Sequence, residues 1–253
     1  MHDQVASLDL GFPGRDPLAR LKLLRSQIDG RIVFTTSFGI EDQYLTDLIF
    51  THDLAIEVVT LDTGRLFPET YAVWTETERK YGRKIRAYYP GASALETLVE
   101  TQGIDGQYDS VAQRKTCCEV RKVAPLRRAL EGASAWVTGL RADQSSTRRA
   151  TAFVSFDPSF AILKANPLVD AARDQIVREV ETRGVPVNAL HAQGYPSIGC
   201  APCTRAIRAG EDERAGRWWW EQDAQKECGL HLAPDGKIVA RRAAADGDSQ
   251  WAV

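Results

Sequence analysis

No stretch of this 253-residue chain is apolar for long enough to cross a bilayer. The opening residues, "MHDQVASLDLGFPGR", lack the charged start and apolar centre of a secretory signal. Together these absences predict a cytoplasmic protein. An excess of charge is lacking too: the formal net charge of -2 supplies no global pull towards nucleic acid or an anionic membrane. Any recognition of anions must then be local. There is no internal repeat, low-complexity tract or obvious linker, and 253 residues with 43% hydrophobic content suit one large domain or a domain with an appendage. Neither the dinucleotide pattern G-x-G-x-x-G nor the phosphate loop G-x-x-x-x-G-K-[ST] occurs. Cysteine is scarce, five in all. In a compartment where thiols stay reduced, five read more readily as metal ligands or catalytic thiols than as a disulfide framework.

What is present is a repeated grammar of apolar runs and helical stretches. "RIVFTTSFG" (31–39) ends in small residues before the helical "IEDQYLTDLIF", and "IEVVTLDTG" (56–64) is followed by "PETYAVWTETERKYG". "KIRAYYP" (84–90), "AWVTGLR" (135–141) and "AILKANPL" (161–168) read as further strands. Pro125 must kink or restart the helix "EVRKVAPLRRALEG", and Asp170 is placed to cap "DAARDQIVREVETRG". Alternation of this kind predicts an α/β fold, a Rossmann-like layered and mostly parallel sheet covered on both faces. Ligands of such sheets bind beyond the strand carboxyl ends, where "TSFG", "LDTG" and "TGLR" fall. The alternation stops near Arg205. We therefore divide the chain into an α/β domain at 1–204 and a C-terminal segment at 205–253, with "RWWW" (217–220) pinning that segment down.

The cysteines fall into two pairs and a single. Cys117 and Cys118 are adjacent in "RKTCCEVRK", and about eighty residues later Cys200 and Cys203 form the C-x-x-C of "GCAPCTR". Structural zinc, a thioredoxin-like redox pair and a 4Fe–4S cubane all compete for this set. Adjacency favours the cubane over zinc. Successive helical side chains diverge by roughly 100°, so two sulfurs reach different irons of a bulky cluster more easily than they share one small ion. Arg121 and Lys122 would offset the cluster's negative charge. Cys228, in "KECGLH", stands apart, with Lys226 and His231 near enough in sequence to favour its thiolate. Basic residues in "GLRADQSSTRR" (139–149) and "RAIRAGEDERAGR" (205–217) are candidates for gripping a polyanion.

Taken in order, "TTSFGIEDQYL", "LDTGRLFPETY", "RKTCCEVRKVAPL", "TGLRADQSSTR", "GCAPCTR", "EDERAGRWWWE" and "KECGLH" resemble the bacterial iron–sulfur type of assimilatory adenylylsulfate reductase. That group lies within the wider phosphoadenylylsulfate reductase family, and the likeness spans roughly residues 30 to 232. It implies an adenine nucleotide α-hydrolase-like fold, with "TSFG" as a modified pyrophosphatase loop. It also implies thioredoxin- or glutaredoxin-dependent reduction of adenylyl sulfate to sulfite and AMP. By that likeness Cys228 is the nucleophile and becomes an S-sulfocysteine, while Cys117, Cys118, Cys200 and Cys203 hold one 4Fe–4S cluster per chain. Lys122, Arg141, Arg148, Arg214 and His231 would meet the phosphosulfate, and Ser37, Gly39, Leu61 and Thr63 the adenosine side. The 3′-phosphorylated nucleotide is the alternative substrate, and a homo-oligomer stays open. Two remoter readings are an iron–sulfur tRNA-thiolating pyrophosphatase-loop enzyme and a non-catalytic zinc or redox module.

Overall fold

The strands form because β-branched and aromatic side chains alternate across a plane that is buried on both sides. The computed structural model describes residues 2–221. Helices α1 (His2–Gly11) and α2 (Pro17–Gln27) precede β1 (Arg31–Thr36), α3 (Ile40–Thr51), β2 (Glu57–Leu61), α4 (Pro68–Tyr81), β3 (Arg86–Tyr88) and α5 (Ala92–Gln102). Then come α6 (Val111–Cys118), a π-helical turn (Glu119–Val123), α7 (Ala124–Leu130), β4 (Ala133–Val137), β5 (Val154–Asp157), β6 (Ile162–Ala165) and α8 (Arg173–Thr182).

The strands lie in the order β3-β2-β1-β4-β6-β5. All neighbours are parallel except β5, which runs antiparallel to β6 at the edge. Period-two alternation sorts the core into two layers. Ile32, Phe34, Ala135 and Val137 face one layer with α3, while Val33, Val59 and Trp136 face the other with Leu126 and Leu130 of α7. Strand order reverses at β1, whose neighbours β2 and β4 lead the chain to opposite sides. The space above their carboxyl ends is where such a sheet accepts a ligand. Among the described residues no helix is long and apolar enough to cross a membrane.

Two local readings change. Pro125 does restart the helix, but through a π turn: the Ala124 N–H bonds to the Glu119 carbonyl, five residues back. Widening the turn moves the Arg121 carbonyl away from the proline ring, which would clash with it in an α-helix. Asp170 does not cap α8, whose N-cap is Ala172 with no side-chain bond. It instead receives both ends of the buried Arg20 guanidinium at 2.5 and 2.8 Å. A charged fork-to-fork contact is stronger than one capping bond.

Residues 205–221 fold back onto the cysteine region. Thr204 and Arg217 form an antiparallel bridge, and the Trp218 N–H donates to the Cys203 carbonyl at 3.1 Å. Trp218 is 1% exposed. Beyond it, Glu221 pairs with Arg114 of α6 through two bonds of 2.8 Å, both side chains almost wholly buried.

Candidate active site

β1 ends in Thr35 and Thr36, and the chain turns through Ser37, Phe38 and Gly39 before α3 begins. Phe38 takes a left-handed backbone (φ 59°), which a bulky residue tolerates only when its surroundings enforce it. Its ring is fully buried and stacked on Trp74 at 5.5 Å, and its N–H donates to Thr36 Oγ1 at 3.0 Å. The kink presents the Ser37 N–H and hydroxyl in one direction. Both donate to Asp42 Oδ2 at 2.6 Å. Burial pushes the Asp42 carboxyl up to about 6, against the lowering by those two bonds. Gly139, after β4, is required here, because a Cβ at that position would collide with the Asp42 carboxylate.

Around this loop lies a cleft of about 190 Å³ over the ends of β1, β2 and β4. Ser37, Gly39, Leu61, Thr63, Lys122, Arg148 and Arg214, seven of the residues expected at the substrate, line it. Of the neighbouring pair in "TRR", Arg148 reaches the cleft and is 6% exposed, whereas Arg149 is exposed. Arg148 Nη1 donates to Gln144 Oε1 at 2.6 Å. Arg217 also lines the cleft. It sits within a stretch notable for its charge, but nothing in the sequence separates it from the other arginines there.

Arg141 is placed differently. It does not line the cleft, and its side chain is fully buried against three carboxylates. Nε donates to Glu41 at 2.8 Å, Nη2 to Glu213 at 2.7 Å, and Nη1 to Asp143.

Beside the cleft, Cys117, Cys118, Cys200 and Cys203 line one small chamber with Arg65, Arg114, Arg121, Lys122, Arg217 and Trp218. The two stretches meet because α6 ends at the doublet while the C-x-x-C turn, held by an Ala201 N–H bond to the Arg65 carbonyl, packs against it. Cys200 Sγ lies 3.2 Å from Thr63 Oγ1. Burial pushes its thiol up, but Lys122, the Thr63 hydroxyl, Arg217 and Arg121 together outweigh this and hold it below the usual range. Burial raises Cys117, and it pushes Cys203 up to about 11, with Cys200 adding to the rise.

The chemistry of this chamber suits an anionic group rich in acceptors. Arg121 Nε, Arg217 Nε and Trp218 Nε1 are buried donors with no acceptor among the described residues. A cage of thiolates and sulfides would satisfy them, and buried donors seldom go unsatisfied. No three Cys, His, Asp or Glu side chains among the described residues approach as ligands of a single metal ion would. Cys228 and His231 lie outside the described residues, the former seven positions beyond Glu221.

Residues 31–206 match the phosphoadenosine phosphosulfate reductase domain. This chain belongs to that family. It is 52% identical to the adenosine 5′-phosphosulfate reductase of Agrobacterium fabrum (strain C58) over 90% of this chain and 88% of the relative. It is 53% identical to the protein of the same name from Allochromatium vinosum, over 79% of this chain and 78% of that one. A solved phosphoadenylyl-sulfate reductase from Candida auris, in a phosphate complex, superposes with a TM-score of 0.67. That alignment covers 78% of this chain and 94% of the other at 24% identity, and it speaks for the fold. The expected α/β class and family are thus borne out.

Proposed function

We propose that this protein reduces adenylyl sulfate to sulfite and AMP, taking two electrons from a dithiol protein of the thioredoxin or glutaredoxin kind. One observation carries the reading: Lys122 and Arg217 line both the cleft and the cysteine chamber, so one cationic wall separates the two. Its chemistry suits a substrate whose reacting end is a doubly charged phosphosulfate. An attacking thiolate is repelled by that end until cations neutralise it.

In this scheme the Ser37–Gly39 turn, Leu61 and Thr63 hold the adenosine side, while Lys122, Arg148 and Arg214 grip the phosphosulfate. Cys228 attacks the sulfur; the bond from sulfur to the bridging oxygen breaks, and AMP departs with that electron pair. The product is an S-sulfonated Cys228. A thiolate of the reductant then attacks the Cys228 sulfur, sulfite leaves, and the reductant's second thiol closes its own disulfide and frees Cys228. Atoms and electrons balance without any other redox partner.

Cys117, Cys118, Cys200 and Cys203 would hold a 4Fe–4S cluster. When bound, such a cluster supplies fixed negative charge and rigidity beside the cationic wall. Thr63 contributes to both sides, its hydroxyl on Cys200 and its main chain accepting from Arg121 Nη1 at 2.7 Å.

The test is sulfite release from adenylyl sulfate and from its 3′-phosphorylated relative by anaerobically purified protein. Adenylyl sulfate is expected to be the better substrate. Cys228→Ser should keep the brown colour and the bound iron yet form neither sulfite nor a sulfonated protein. Substantial turnover by that variant would remove the assigned nucleophile.

A further inference from the structure

The buried Arg141 carries an inference that the resemblance does not. We propose that Arg141 is a positioning residue, a latch that holds Glu213 so that the adjacent Arg214 enters the cleft. This rests on the cleft taking an anionic phosphosulfate.

Three N–H faces of the guanidinium meet three carboxylates from distant parts of the chain: Glu41 in the first turn of α3, Asp143 two residues on, and Glu213 seventy-two residues on. Arg173, at the start of α8, reinforces the node from 3.6 Å on Glu41 and 3.7 Å on Glu213. With its side chain 0% exposed and Nε, Nη1 and Nη2 each already on a carboxylate, Arg141 is turned away from the cleft, which it does not line. The fork is rigid and planar, and this shape lets one residue tie α3 to residues 205–217.

The residues fastened in this way are the cationic ones. Arg214 directly succeeds Glu213, and the Arg217 N–H donates to the Arg214 carbonyl at 2.9 Å. Gln144 extends the node: its Oε1 accepts from the Arg141 N–H at 3.2 Å and from Arg148 Nη1 at 2.6 Å. Arg148 and Arg214, both of which line the cleft, are thus tied to one buried hub.

A latch and a direct contact predict opposite signs for one substitution. If Arg141 touched the substrate, Glu213→Gln would remove a competing negative charge and tighten binding. If it is a latch, the same change loosens Arg214 and weakens binding. The experiment measures the Kd of adenylyl sulfate calorimetrically on full-length, cluster-loaded protein in the Cys228→Ser background. Glu213→Gln and Arg141→Lys should each weaken binding about tenfold, as loss of a charged hydrogen bond does. Together they should cost little more than the worse single change, because one coupled unit is being broken. In an Arg214→Ala background Glu213→Gln should add almost nothing. A general packing defect would still add its full penalty there.

Tighter binding by Glu213→Gln, or an undiminished penalty without Arg214, would overturn the latch. Should Arg141→Lys fail to fold, the Glu213 and Arg214 pair carries the test alone. Absence of nucleotide binding by the parent protein would instead remove the phosphosulfate reading and the latch with it, a result distinct from either outcome.

Discussion

Asp42 occupies an uncommon position for a carboxylate, in the mouth of a loop built to present N–H groups. Its proton is held to about 6, where an ordinary aspartate releases it at 3.8. The folded protein therefore binds a proton between about pH 4 and 6 that the unfolded chain has already lost. Stability falls as pH rises through that window, because the native state then carries more bound protons than the unfolded state. Asp42→Asn removes this contribution. The Tm of the variant minus that of the parent is expected to grow as pH climbs from about 4.5 to 7, and a difference that stays flat would contradict the assignment. The same residue shows what a residue type alone conveys. "SFGIED" announced a turn before a helix, and the turn is there. That Asp42 would accept from Ser37, or that Arg141 would commit itself to Glu41 and Glu213, depended on neighbours brought together only by the finished fold. Motif resemblance put Lys122, Arg148 and Arg214 beside the substrate, and all three line the cleft.

At the scale of elements, the π turn between α6 and α7 sets the angle between the cysteine doublet and Lys122. An extra residue in the turn rotates the helix on its N-terminal side relative to the helix on its C-terminal side by roughly a quarter to a third of a revolution. Pro125→Ala removes the steric reason for the wide turn. Helix content by circular dichroism should hold, while iron and sulfide per chain should fall; undiminished iron would show that the turn is not what aims the thiols. The Arg114–Glu221 pair fastens residues 205–221 to α6, with the Arg114 guanidinium carbon 4.7 Å from the centre of the Trp218 ring. Glu221→Ala removes the carboxylate from a buried ion pair, leaving Arg114 to its weaker contact with Cys118, and is expected to cost up to about 3 kcal/mol, read as a lowered urea midpoint. A cost within that of surface substitutions would mean that Arg114 finds another partner. The parallel strands were legible because burial on both faces writes a continuous apolar run. β5 was not, since "VSFD" is a short edge strand whose pairing depends on β6 and on the Asp9 side chain of α1, which accepts from the Val154 N–H at 3.0 Å.

The molecule as a whole is close to neutral, with 34 acidic and 32 basic residues, so its cations act over short range. Screening lengths near 10 Å at 0.1 M salt leave a cleft-bound anion partly protected and weaken only its approach. Raising NaCl from about 20 to 300 mM should lower kcat/KM for adenylyl sulfate by less than about tenfold, mainly through KM. A far steeper dependence would point to a larger basic surface than the cleft supplies.

The four thiols of the chamber come from stretches separated by about eighty residues, and Trp218 and Glu221 close over them from farther on still. A ribosome therefore makes the first pair long before the second exists. If the four share an inorganic group, as proposed above, it can be completed only on a chain already synthesised past residue 203, when all four thiols exist. On that reading the linear order of the sequence decides when the centre can first be assembled.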